Sequence, residues 1–160
     1  MSISIQEEDF DLGAELAALR NRNAEIGALV SFTGLVRDFS GAAKIENIRL
    51  EHYPGMSEKA LEQIVAEANA RWRLLGVRII HRVGTLLPTE QIVLVATASA
   101  HRGDAFAACE FIMDRLKTDA PFWKREQTPQ GAAWLDTRDS DVRRGERWDT
   151  GRDNRQGDRQ

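Results

Sequence analysis

The segment Leu116-Lys117-Thr118-Asp119-Ala120-Pro121-Phe122-Trp123-Lys124-Arg125-Glu126 places two lysines seven residues apart across a proline. Of the chain's 22 basic residues only Lys44, Lys59, Lys117 and Lys124 are lysines, so 18 are arginines. General positive charge is carried by arginine, which stays protonated; a lysine, in contrast, can serve as a base or an amine nucleophile. Pro121 ends the helix that Lys117 would close, so the chain can fold back and bring Lys117 and Lys124 together. Neighbouring cations lower each other's pKa, and Phe122 and Trp123 add desolvation. A lysine tuned in this way can move protons or attack an activated carbonyl. The plainer reading of Lys117 is a cation favoured by the dipole at a helix end. An aromatic-basic run could also stack nucleic-acid bases, but the net charge of -3 and the shortness of the run argue against it.

Two further clusters suit anions. Phe32-Thr33-Gly34-Leu35-Val36-Arg37 ends an apolar, β-branched run, and an Arg emerging from a strand offers a planar fork of donors. Ser99-Ala100-His101-Arg102-Gly103-Asp104 joins an expected strand to an expected helix, where unpaired N–H groups and the positive dipole end favour phosphate or carboxylate. The plain alternatives are a local salt bridge for Arg37 and a capping turn for His101 and Arg102. His52, His81 and His101 are spaced by 29 and 20 residues, which matches no compact zinc motif, so no metal is expected. His52 and His81 read as ordinary hydrogen-bonding residues beside the sheet. The single cysteine, Cys109, falls on an apolar helix face with Phe106 and Met113 and reads as a buried small hydrophobe. There is no glycine-rich phosphate loop and no nucleophile elbow.

The elements that must position these residues can be read from periodicity. Ile3 and Ile5 alternate with polar residues as in a short edge strand, and Asp11 to Arg20 has helical spacing. Ile26 to Arg37 predicts a buried strand, Asp38 to Lys44 a turn or mobile loop, and Ile45 to His52 a second strand broken by Tyr53-Pro54-Gly55. Ser57 is the expected N-cap of a helix reaching about Leu74, with Leu61, Ile64, Val65, Ala68 and Trp72 as its apolar stripe. Val77 to Val83 and Gln91 to Ala100 predict two strands. A helix capped by Asp104 and ended by Pro121 follows them, then extended chain from Phe122 to Glu126 and a late strand from Ala132 to Asp136. The order β-α-β-β-α-β-β-α-β does not alternate strictly, which points to an α+β fold.

At 160 residues, 42% hydrophobic and 29% charged, the chain can build a core without disulfides or a structural metal. No apolar run approaches the ~20 residues of a membrane span. The polar, acidic Met1 to Asp9 predicts no secretory signal, so a reducing cytoplasmic location is the expectation. The reading is one catalytic domain over 1–148 and a charged, disordered tail over 149–160.

Five segments together resemble the large, catalytic subunits of molybdopterin synthase, which act in molybdenum cofactor biosynthesis. They are Phe32 to Arg37, Glu51-His52-Tyr53-Pro54-Gly55-Met56, His81-Arg82-Val83-Gly84, Ser99 to Arg102, and Leu116-Lys117 with Ala120 to Glu126. The resemblance covers about residues 26 to 140. It implies an α/β-hammerhead fold with a mainly antiparallel sheet and two main packing helices. It implies a homodimer with a small ubiquitin-like sulfur-carrier subunit at each end, forming a heterotetramer. The carrier's C-terminal thiocarboxylate would supply both sulfurs that turn cyclic pyranopterin monophosphate into molybdopterin, so no bound cofactor is expected, and no nucleic-acid or membrane partner. Carried over by position, Lys117 and Lys124 are the catalytic pair. Leu35, Val36, Arg37, His101, Arg102, Lys117, Lys124, Arg125 and Glu126 bind substrate. Arg37, His101 and Arg102 would converge on the substrate phosphate, with Arg138 as a candidate contributed across the dimer. Two other readings fit the same lysines: a Schiff-base enzyme on a small phosphorylated carbonyl compound, and a non-enzymatic module that binds a ubiquitin-like tail.

Overall fold

A computed structural model of the chain describes residues 2–135 and 139–149. Two four-stranded sheets organise it. The first runs in the order β1 (Ile3–Gln6), β6 (Gly76–Arg82), β8 (Gln91–Ser99), β2 (Ala28–Leu35), with β1 parallel to β6 and the other two pairs antiparallel. The second is wholly antiparallel, in the order β10 (Gly131–Leu135), β9 (Phe122–Thr128), β5 (Asn47–His52), β7 (Gly84–Leu86). A small hairpin, β3 (Phe39–Ser40) with β4 (Ala43–Lys44), occupies the segment expected to be a loop. Four helices are described: α1 (Leu12–Arg20), α2 (Met56–Arg71), α3 (Arg102–Asp119) and α4 (Asp139–Glu146). This is the α+β architecture expected, with α2 and α3 as its main packing helices.

Strand alternation sorts the core. Val77 and Ile79 of β6, with Val93 and Val95 of β8, face Leu61, Ile64 and Ala68 of α2 and Phe111 and Ile112 of α3. The alternate residues Ile80, Leu94, Ala96 and Ala98 pack on the other face against Phe10 and Leu19. A third cluster, Val36, Ile45, Ile48, Leu50 and Leu86, lies under the second sheet. By the same parity His81 falls on the face of Val77 and Ile79, beside α3.

Several local expectations are corrected. β2 is shorter than predicted and half-buried, because it forms an edge of the first sheet and leaves Phe32 and Leu35 exposed. Ser57 does not cap α2. Gly55, at φ 85°, precedes the helix, and the Glu58 carboxylate accepts from the Gly55 N–H at 2.6 Å. A left-handed φ of this kind suits glycine. Ser57 is instead buried inside the first turn, where Oγ accepts from Tyr53 N–H and donates to the Pro121 carbonyl at 2.9 Å. The helix stops at Arg71 rather than Leu74. Asp104 does not cap α3; that position is held by His101, with no side-chain bond to the helix, and Asp104 lies in the first turn.

The charged C-terminal stretch contains a helix that periodicity did not reveal. α4 docks on α3 through its Arg144, 3.8 Å from Glu110, and through Arg147 just past its end, which meets Glu110 at 2.7 Å and Asp114 at 3.0 Å. Trp148 follows it, only 3% exposed, edge-on to Trp72 and Phe111, with its indole N–H donating to Asp114 at 2.8 Å. Asp149, assigned to the tail, pairs with Arg115. Residues 150–160 lie outside the described residues.

Candidate functional site

The residues around Pro121 form one corner. α3 ends at Asp119, Ala120 is extended as a residue before proline must be, and β9 begins at Phe122. Ser57 Oγ holds the Pro121 carbonyl, which fixes where β9 starts relative to α2. Lys117 lies in the last turn of α3, and Lys124 two residues beyond Phe122 on β9. Both line a cavity of about 610 Å³, together with Arg37, His81, Phe122 and Met113. The fold-back therefore brings the two lysines to one space.

A bulge in β2 brings in the third cation. Between Gly34 and Leu35 the register to β8 jumps from Val93 to Gln91, which re-aims the strand end. Gly34 has no room for a side chain, since a Cβ there would lie 2.8 Å from Val93 Cγ1. Past the bulge Leu35 and Arg37 reach the cavity. Val36 points the other way into the core cluster of Ile45 and Ile48, and Arg37 separates the main cavity from a second space of about 590 Å³ that Val36 also lines. Ser140 and Asp141 of α4 also line the main cavity.

Strand parity divides the β9 residues. Phe122 and Lys124 face the cavity. Glu126 shares their side, is 6% exposed, and stands 3.5 Å from the Lys124 ammonium without lining the cavity itself. Its Oε1 makes no hydrogen bond among the described residues, so the ammonium is its counter-charge. Arg125 is on the opposite, exposed face, its guanidinium 5.9 Å from the Trp134 ring centre. The structure does not bring Arg125 into the cavity.

His101 and Arg102 are also elsewhere. They are exposed at the start of α3, and Lys117 is fifteen residues further along the helix, about 22 Å away at 1.5 Å per residue. Neither lines the cavity. Convergence of Arg37, His101 and Arg102 on one phosphate does not occur within a single chain. Arg138 lies outside the described residues.

His81 is the residue that sequence reasoning undervalued. It is 5% exposed, lines the cavity, and its pKa is lowered to about 4. Burial is the main cause; the charges of Lys117 and His52 act in the same direction, and the contact with the Arg82 carbonyl opposes them. Its signal in the sequence is parity: it continues the inward row Val77, Ile79 toward the end of α3. Cys109 is buried between α3 and β8, with Sγ 3.7 Å from the Val95 carbonyl, and burial pushes its thiol up to about 11. A thiol so placed stays protonated and is no nucleophile.

The cavity thus presents Arg37, Lys117 and Lys124 on a partly apolar wall, an arrangement suited to a compact anionic ligand. Among the described residues no group of three or more His, Cys, Asp or Glu side chains could hold a metal ion. No helix among them is long and apolar enough to cross a membrane.

Comparison with known proteins places this geometry in context. The MoaE protein family matches residues 5–119. The molybdopterin synthase catalytic subunit of Ralstonia nicotianae is 59% identical over 153 residues, covering 96% of this chain and 87% of that protein. The subunit of the same name from Pseudomonas aeruginosa is 53% identical, covering 93% and 99%. Among solved structures, the molybdopterin biosynthesis MoaE protein of Burkholderia ambifaria superposes with a TM-score of 0.80 at 59% identity, over 92% of this chain and 97% of that one. The molybdopterin synthase structure from Staphylococcus aureus gives 0.79 at 34% identity, over 85% and 98%.

Proposed function

The chain belongs to the MoaE protein family, and from that premise we propose that it inserts sulfur into cyclic pyranopterin monophosphate as the catalytic subunit of a molybdopterin synthase. The observation that supports this most is the joint opening of Lys117, Lys124 and Arg37 into one cavity, while Cys109 is locked in the core. A site with cations but no usable thiol suits a reaction whose sulfur arrives from outside. The source would be the C-terminal thiocarboxylate of a small ubiquitin-like carrier, its tail entering the cavity, and no bound cofactor would be required.

In this reading Arg37 and Lys124 hold anionic groups, the substrate phosphate and the carrier terminus, by charge-assisted contacts. Glu126, 3.5 Å from the Lys124 ammonium, orients it. Lys117, in the last turn of α3, is the residue that gives and takes protons as the cyclic phosphate opens and water leaves. His101 and Arg102 contribute from the second copy of a homodimer, since they lie too far from Lys117 in their own chain. The full assembly is then a heterotetramer with one carrier at each end.

The test is reconstitution with a thiocarboxylated carrier and the pterin precursor, scored for dithiolene product. Lys117→Ala should lower turnover by roughly 10²–10⁴-fold, the usual weight of a general acid-base group, with the fold intact by circular dichroism. Lys117→Arg should fail as well, because Arg keeps the charge and cannot exchange the proton. Near-normal turnover in the Arg variant would remove Lys117 from the proton-transfer role.

A further inference from the structure

Besides its three cations and the carboxylate of Asp141, the cavity is lined by the ring of His81. His81 Nδ1 lies 2.8 Å from the Arg82 carbonyl oxygen. A carbonyl only accepts, so Nδ1 carries the hydrogen and Nε2 is left as a bare acceptor in the neutral ring. Nε2 makes no hydrogen bond to any described residue, and the side chain lines the cavity.

The ring is also held in place. Phe122 stacks on it with centroids 3.8 Å apart and planes 12° apart, and His52 stacks on Phe122 at 6.4 Å. Arg82, whose carbonyl fixes the tautomer, is itself tied down: its guanidinium donates to the carbonyls of Glu7 and Gln91. Burial and the charge of Lys117 keep the imidazole unprotonated near neutral pH. A bare nitrogen lone pair repels phosphate and carboxylate oxygens, which the cations take, and attracts an N–H donor.

We propose that His81 is a substrate-touching specificity residue, whose Nε2 accepts a hydrogen bond from an N–H on the edge of the bound pterin ring. This rests on the pterin reading above and deepens it. The cations then read the anionic end of the ligand and His81 the heterocycle. A buried site built around an acceptor discriminates strongly against a ligand lacking the matching donor, because the acceptor is left unpaired.

The test uses the full-length chain with its histidines labelled with nitrogen-15, titrated with the pterin precursor while calorimetry follows binding. The His81 resonances are identified by their loss in His81→Gln. In the free protein Nδ1 should be protonated and Nε2 bare, and Nε2 should shift toward a hydrogen-bonded position as the precursor saturates. In parallel, His81→Phe keeps the stack on Phe122 but removes the acceptor, and should raise the precursor KM at least about tenfold, the cost of one buried unpaired contact. His81→Gln, which retains an acceptor, should recover part of that. Precursor binding with Nε2 unmoved, an Nε2 already hydrogen-bonded in the free protein and indifferent to precursor, or wild-type KM in His81→Phe would each overturn the proposal. Failure of the precursor to bind the wild-type chain at all would overturn the pterin reading and this inference with it. If His81→Phe does not fold, the wild-type titration decides alone.

Discussion

The proposed two-copy site makes a quantitative prediction. Arg102 opens α3 and Lys117 is in its last turn, about 22 Å apart along a rigid helix. No side chain spans that distance, so a ligand that touches both must lie between copies. In a two-fold dimer each cavity then takes Lys117 from one protomer and Arg102 from the other. Arg102→Ala alone should weaken the precursor by roughly 10–150-fold, the equivalent of a lost charge-assisted contact of about 1.5–3 kcal/mol. Lys117→Ala alone should be nearly inactive. A mixed dimer, one protomer carrying each substitution, places both defects in the same cavity and leaves the other cavity intact. Its turnover should be about half that of the wild-type dimer, one of two symmetric sites being whole. Co-expression with two different tags and sequential purification isolates this species, and turnover at sub-saturating precursor reads it. If Arg102 instead served the Lys117 of its own chain, both cavities of the mixed dimer would be defective. Turnover no higher than the average of the two parent variants would refute the two-copy site.

Three further outcomes follow from the packing. Folding keeps His81 neutral down to about pH 4, against an ordinary value of 6.5, so its contribution is complete above about pH 6.5 and is lost as pH falls toward 4. The loss amounts to about 3 kcal/mol at no more than about 1.4 kcal/mol per pH unit. Arg37, Lys117, Lys124 and Asp141 share the cavity with His81, and His52 sits across Phe122, so urea titrations of wild type and His81→Phe between pH 4 and 7 should be compared by difference, and identical pH dependence would be contrary evidence. Trp148→Ala should cost about 3–5 kcal/mol by opening a cavity against Trp72 and Phe111, visible as an early midpoint in chemical denaturation. Cys109→Ala should retain sulfur transfer in the reconstituted reaction while losing about a kcal/mol of stability to a small cavity; a folded but inactive variant would refute the structural reading of Cys109.

The long elements were legible because their periodicity is strong and their ends are marked. Pro121 stops α3, and the apolar stripe from Leu61 to Ala68 identifies α2. Two-residue strands such as β3 and β4 carry no period at all, and β7 spans only Gly84–Leu86. α4 was hidden for a different reason. Its sequence is nearly all polar, and what holds it is ion pairing to Glu110 and Asp114 with Trp148 as the single apolar anchor. Ser57 looked like a cap because serine before a helix usually is one. Here the chain reverses so sharply at Gly55 that Glu58 takes over the exposed N–H, and the serine is free to bond the distant Pro121 carbonyl. Proximity of Lys117 and Lys124 could be argued from a single proline. The remoteness of His101 and Arg102 could have been seen too, since an unbroken helix of this length fixes the distance between its ends.

Strand parity carries the site further than residue type does. Phe122, Lys124 and Glu126 alternate with Trp123 and Arg125 along β9, so a run that reads as uniformly basic and aromatic is split by the pleat into two surfaces. One side holds the Lys124 ammonium, its buried carboxylate partner and the ring that clamps His81. The other exposes Arg125 beside Trp134. The same alternation on β6 sends His81 toward the cavity and the Arg82 side chain to the carbonyls of Glu7 and Gln91, while the Arg82 carbonyl itself fixes the tautomer of its neighbour. Because Phe122 stacks on His81 and starts the strand bearing Lys124, a shift of β9 by one residue would undo both placements at once. The pairing of β9 with β5 and β10 resists that shift, and the Ser57 hydroxyl on the Pro121 carbonyl adds to it from a residue that does not line the cavity.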